Sequence, residues 1–244
     1  AVSKCIKGTV RKSSSTPNNR IFTKLIRIHN RVWQPLKSRL NSAGHWLPPF
    51  FLRAILFWEF YEAGVGKLNG DNWFGAIQQN FPPVFRSLHP DTLWLMAAWG
   101  EAVFAVLLLL GLFTRFAAMA MIVITAVALY AVHWPESYAS LSQLWQGYAI
   151  SNDGYGNFKL PLIFMVMLLP LVFSGGGKLS LDYLLNYLIG CDERPPQQSD
   201  FISKGLALLI LAVPLVFFFP VLSALIAAIG FLLLIGNHWI TPQG

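Results

Sequence analysis

Residues 93–134 read LWLMAAWGEAVFAVLLLLGLFTRFAAMAMIVITAVALYAVHW and contain two charged side chains, Glu101 and Arg115. The apolar runs 93–112 and 116–134 flank a turn around Phe113. Each has about the 20 residues that a helix needs to cross a bilayer core. Strict polar–apolar alternation is absent, so the stretch predicts two helices rather than strands. Working outward, 47–66 is a third apolar block, interrupted by Arg53, Glu59 and Glu62. Residues 160–173 form a shorter one, long enough to span only if Asn157 and Phe158 are included. Residues 205–235 run without any charge and hold Pro214 and Pro220 in their first half. As one helix that block would measure about 45 Å against a core of about 30 Å. It therefore reads either as one kinked span or, preferably, as two helices near 201–219 and 221–239.

Composition agrees. Of 244 residues, 55% are hydrophobic and 12% charged, with a mean hydropathy of +0.53. A soluble chain usually carries about 25% charged residues, so an ordinary soluble enzyme is a poor reading. Cys5 and Cys191 are too few and too far apart for a disulfide framework or a CxxC site. The net charge of +7 is unevenly placed: ten of 18 Lys/Arg fall in residues 1–46, which hold no acid, and the rest of the chain has eight bases and eleven acids. Nucleic acid is accordingly not an expected partner, whereas an anionic lipid surface is.

Residues 1–20 read as a flexible polar tail, with an organelle transit peptide as the weaker alternative; no apolar h-region follows within signal-peptide range. From 21 to 40, Ile21, Leu25, Ile28, Val32 and Leu36 recur every three or four positions among Lys24, Arg27, Arg31, Lys37 and Arg39. That pattern predicts a basic amphipathic surface helix, bent or interrupted at Pro35, or else a solvated basic arm. The positive-inside rule then puts the N-terminus in the cytoplasm, 67–91 and 134–158 outside, and 174–204 inside. The expected fold is all-α: an integral membrane four-helix bundle, with the basic N-terminal helix and an extra C-terminal hydrophobic helix or helical hairpin. The expected divisions are 1–46, 47–190 and 191–244. No internal repeat of 20–50 residues is visible.

Charges within apolar helices are costly and usually face the bundle with partners. Glu101 is the leading candidate, because its own run offers no polar neighbour; its partner is expected on another helix, as Arg53 or Lys67. Glu59, Ala63 and Lys67 follow i, i+4 spacing, and Glu62 lies close enough to Glu59 for their carboxyls to couple. Ala63, Gly64 and Gly66 would let another helix approach closely. Such carboxylates could hold a quinone headgroup, relay protons or bind a cation. Equally, they could only tie helices together. His133, in Val132-His133-Trp134-Pro135, is read as an interfacial hydrogen-bonding residue ahead of a ligand. His29, His45, His89 and His238 show no ligand spacing, so no metal or haem motif is read. Gly175-Gly176-Gly177 ends a helix rather than cradling phosphate, and Asp182 suits the N-terminal dipole of the short helix after it.

Arg53, Ala63-Gly64, Lys67-Leu68, Glu101 followed by Leu107 to Leu110, Gly111-Leu112-Phe113-Thr114-Arg115 and Ser180-Leu181-Asp182-Tyr183-Leu184-Leu185 appear in that order. Together they resemble the DoxX family of small four-helix membrane proteins of bacteria and archaea, over about residues 48–187. Val132-His133-Trp134 and the following loop resemble its HvfX-like branch, found beside maturation systems for copper-binding modified peptides. The resemblance implies recurrent polar positions at Arg53, Lys67, Glu101, Arg115 and Asp182; Glu59 and Glu62 are less typical. Family relatives include a subunit associated with thiosulfate:quinone oxidoreductase and proteins linked to membrane redox complexes. The leading expectation is a multi-pass protein of the bacterial inner membrane with a membrane or cytoplasmic redox or maturation partner, a quinone-like ligand in the outer half of the bundle, and a homo-oligomer as one assembly; no family cofactor-ligand motif is read. Whether the chain is itself a catalyst stays open. The alternatives are a non-catalytic scaffold recruiting a cytoplasmic partner and, less favoured, a small ion transporter.

Overall fold

The computed structural model describes residue 26 and residues 29–135, 137–148, 156–190 and 201–240. The tail expected over 1–20, the cysteines, Glu136, Asp153 and Arg194 lie outside these residues. The described secondary structure is helical, with no strand among the described residues. The chain divides into two units, 1–44 and 45–244.

In the first unit a π turn, His29–Trp33, leads into α1, Gln34–Gly44. Pro35 falls in the first turn of α1, where a missing N–H forfeits no helical hydrogen bond. The helical path changes from π to α immediately before Pro35, and α1 runs on to Gly44. Nothing in α1 is buried, and Val32, Trp33, Leu36 and Leu40 are exposed.

The second unit begins with α2, Leu47–Asn69, which has Pro48 and Pro49 in its first turn. Arg53, Leu56, Phe60 and Gly64 are buried at three- and four-residue intervals, defining one inward face. The connection to α3, Pro90–Leu110, is not a plain loop: a 3-10 segment, Phe74–Asn80, and a helical turn, Pro83–Arg86, fold within it. At the end of α3, Gly111 takes φ 66° while its N–H bonds to Leu108 O and the N–H of Leu112 to Leu107 O, both at 3.0 Å. This pairing satisfies carbonyls that a helix end leaves open and needs a left-handed residue, a glycine preference. Phe113, also left-handed at φ 48°, turns the chain into α4, Thr114–Ala128, which continues as a π segment, Leu129–His133. Then come α5, Lys159–Ser174, and α6, Leu181–Ile189, capped by Ser180 Oγ. The C-terminal block is two helices, α7, Phe201–Leu215, and α8, Pro220–Ile240, joined at 216–219. Pro220 begins the second of them, consistent with its tolerance in a first turn.

Contacts run from α2 to α3, α3 to α4, α4 to α5 and α5 back to α2, while α7 packs on α8 and lightly on α4. The interior holds Leu56, Ala105, Leu108, Met121, Ile122 and Leu168, none more than 1% exposed. Gly64 is the point of closest approach between α2 and α3. A Cβ there would lie 2.7 Å from Ala102 N and 2.8 Å from Ala98 O. A second cluster, Phe74, Phe81, Leu93, Trp94 and Ala131, is formed by the 70–89 connection folding against α3 and α4. Two helices are long and apolar enough to cross a membrane, Pro90–Leu110 and Thr114–His133. The α2 helix is as long, about 34 Å, but carries charge. Helices α5 and α7 are shorter, as is the Pro220–Gly236 part of α8.

Candidate functional site

Polar side chains in the second unit fall into three groups, and their positions along the helices separate their roles. The first is an ion pair. Lys67 lies in the last turn of α2 and Glu101 midway along α3, and Lys67 Nζ donates to Glu101 Oε2 at 2.6 Å. Glu101 is 6% exposed. The close α2–α3 contact at Gly64 brings the two helices near enough for the lysine to reach across, since Glu101 Cβ is itself 3.1 Å from where a Gly64 Cβ would stand. Lys67 also approaches Ala63 O at 3.5 Å, and Glu101 Oε1 has no hydrogen bond among the described residues. Two turns further along α3, Trp94 meets Trp73 and Phe74 edge-on, with Phe81 against Phe74. The pair lies between two apolar helices, with the ring cluster about 10 Å away along α3 and Lys67 partly exposed.

The second group gathers at the opposite end, around the α3–α4 turn. Arg53 is 1% exposed, and its guanidinium donates to Leu109 O at 3.0 Å, Leu108 O and Pro49 O at 3.3 Å, and Leu179 O. It therefore closes the C-terminus of α3, where carbonyls lack helical partners and carry the negative end of the dipole. Asp182 does the converse for α4: its Oδ1 accepts from Phe113 N at 2.7 Å and its Oδ2 from Thr114 N at 2.8 Å. Arg115 donates to Val172 O at 2.9 Å and Phe173 O at 2.6 Å, closing the C-terminus of α5. The backbone joins in, with Asp182 N donating to Gly111 O at 2.9 Å and Lys178 N to His45 O at 3.2 Å. Arg53 is thus not the partner of Glu101; the two engage α3 at different levels.

Glu59 and Glu62 make up the third group. Both are exposed, on the side of α2 away from Arg53 and Gly64, and neither has a partner among the described residues. Of the three small residues, Gly64 is the one packed against a helix; Ala63 is exposed, and a Cβ on Gly66 would meet nothing within 4 Å. His133 is half-buried at the end of the π segment, where its backbone O accepts from Asn157 N at 2.9 Å. His89 caps α3, its Nδ1 accepting from Asp91 N at 3.4 Å. Among the described residues no cluster of three His, Cys, Asp or Glu could hold a metal ion.

Sequence reasoning did not anticipate the aromatic layer formed by the 70–89 connection, although Trp73, Phe74 and Phe81 between two spans are its signal. It also assigned Asp182 to its own helix, whereas the carboxylate serves another. Two buried hydroxyls, Thr114 Oγ1 and Thr125 Oγ1, have no hydrogen-bond partner among the described residues.

Residues 49–134 match the DoxX family model. An uncharacterized protein of Haemophilus influenzae is 39% identical over 147 residues, covering 60% of this chain and 89% of that protein. A second uncharacterized protein of the same organism is 37% identical over 152 residues, covering 59% of this chain and 96% of its own length. No solved structure matches.

Proposed function

We propose, from the premise that this chain belongs to the DoxX family, that it is a membrane protein whose Lys67–Glu101 pair receives the headgroup of a quinone-type ligand. Family membership and the apolar helices support the membrane assignment. Helices α2 to α5 would form the spanning bundle, with the N-terminus in the cytoplasm and the 70–89 connection on the outer side of the inner membrane. The single observation carrying the ligand reading is that an ion pair sits among apolar helices with unfilled capacity on both sides. Lys67 Nζ, on a side chain 21% exposed, has a third N–H beyond those facing Glu101 and Ala63 O, and Glu101 Oε1 has no hydrogen bond among the described residues.

In this reading the ammonium of Lys67 donates to a carbonyl oxygen of the ligand. Glu101 stands beside it as the group that gives or takes a proton. Trp73, Phe74 and Trp94 supply flat apolar surface. A bound quinone would supply two-electron redox chemistry, and the chain would act as the membrane partner of a redox or metal-handling system. The Val132-His133-Trp134 run supports the HvfX-like branch, and with it a partner that matures copper-binding peptides. The scaffold reading draws on a different observation: Arg53, Asp182 and Arg115 are all consumed in holding helix ends together.

The test is a titration of the purified full chain in mild detergent with menadione or ubiquinone-1, followed by tryptophan fluorescence. Glu101→Gln and Lys67→Met should each weaken binding by about ten-fold or more, the scale expected for losing a charge-assisted hydrogen bond. The double variant K67M/E101M removes both charges, so it should keep stability better than either single change while still failing to bind. Undiminished binding in all three would defeat the ligand reading. Deleting residues 1–46 should leave binding intact; a scaffold would instead lose its function on that deletion.

A further inference from the structure

The face of α2 turned away from α3 and α5 does not suit lipid. At about 100° per residue, Phe51, Ile55, Trp58, Glu59, Glu62 and Gly66 share one sector of roughly 100°, opposite the buried Arg53, Leu56, Phe60 and Gly64. Phe51, Ile55 and Trp58 are 54%, 50% and 68% exposed, and both carboxylates stand among them.

The depth of these acids follows from the packing. Gly64 abuts Ala98 and Ala102, on either side of the centre of the Pro90–Leu110 span, and Gly100 abuts Ile124, near the centre of the Thr114–His133 span. The middle of the apolar layer therefore meets α2 close to residue 64. Glu62 lies about 3 Å and Glu59 about 7 Å from that level at 1.5 Å per residue. On the proposed reading of α2 to α5 as the spanning bundle, on which this inference rests, both lie inside an apolar core that reaches about 15 Å to either side.

Carboxyl groups at this depth normally face protein and find a partner. Every basic side chain in helices α2 to α5 is already engaged: Arg53 and Arg115 on carbonyls, Lys67 on Glu101, and Lys159 over the Tyr148 ring. A second copy presenting the same face would add only more carboxylates. We infer that the outward face of α2, at Glu59 and Glu62, docks a transmembrane helix of another protein that carries a lysine or arginine at mid-membrane depth. Gly66, where a Cβ would meet nothing within 4 Å, lets that helix come close, and Trp58 and Ile55 supply its apolar contact.

The test uses the full chain in phosphatidylcholine–phosphatidylglycerol vesicles and a synthetic Leu/Ala transmembrane peptide with one central Lys and a dansyl acceptor. Energy transfer from the protein's tryptophans reads association, and a peptide with Leu at the central position is the reference. The Lys peptide should bind at least ten-fold more tightly than the Leu peptide, and this preference should vanish in E59Q/E62Q. Both side chains are exposed, so that variant should fold as the wild type does, checked by its circular dichroism. Equal binding of the two peptides, or a preference that survives in E59Q/E62Q, overturns the inference. So does transfer between separately labelled copies of the chain that E59Q/E62Q abolishes and the Lys peptide does not displace, which would make the face a contact between copies.

Discussion

Replacing Arg53 by Met should destabilise the fold by about 3–5 kcal/mol without touching the Lys67–Glu101 pair. The side chain is 1% exposed and donates to four carbonyls, of Pro49, Leu108, Leu109 and Leu179. The Pro49 bond is local to α2, so its loss counts for little. The other three join α2 to the end of α3 and to the segment before α6. A hydrogen bond from a charged donor is worth roughly 1.5–3 kcal/mol in general, less between membrane helices, at about 1 kcal/mol. Three of them, with two helix-end carbonyls left open, give the stated range. The assay is reversible unfolding of the full chain in mixed micelles by increasing SDS, read by tryptophan fluorescence, with R53K alongside. Lysine keeps the charge but not the planar fork, so it should fall between wild type and R53M. Arg53 and Lys67 stand about 21 Å apart along α2, so menadione binding measured below the unfolding transition should be unchanged in R53M. A loss below 1 kcal/mol would refute the clasp, and a binding defect at unchanged stability would mean that Arg53 works at the ligand.

Two further outcomes follow from the same geometry. Asp182→Ala removes both acceptors from the amides of Phe113 and Thr114 and should cost about 2 kcal/mol, near the upper end for an N-cap, measured by the same SDS titration. Gly64→Val should push α2 off α3, because even a Cβ would lie 2.7 Å from backbone; cross-linking of a cysteine pair placed at 67 and 101 should then fall several-fold, and an undiminished yield would contradict the close approach.

How far the sequence could be read depended on how local each signal was. The 93–134 stretch announced two apolar helices because length and lack of charge suffice to define a span, with the turn between them placed around Phe113. Glu101 was legible as a residue in need of a partner, since an acid in an apolar run is anomalous by itself. Which base answered it was not legible. Arg53 and Lys67 lie on one helix, and choosing between them required the register of α2 against α3, fixed by Gly64 meeting Ala98 and Ala102. Asp182 shows the same limit more sharply. Its place in the first turn of α6 explained it adequately, yet its carboxylate closes the start of α4, some 68 residues earlier.

The uneven distribution of polar links between the two ends of α2 to α5 has a mechanical consequence. At the end holding Arg53, Arg115 and Asp182, ionic and backbone bonds fasten helix to helix in several directions. Toward the other end the described ties between spanning segments are sparser: the ion pair, Asn72 donating to Asp91, Asn157 N donating to His133 O, and a layer of rings. Any breathing of the helices therefore pivots about the fastened end and is widest at the aromatic one, so a guest reaching Glu101 would enter between Trp73, Phe74 and Trp94, and a stiffened rim would slow its exchange without altering the seat itself.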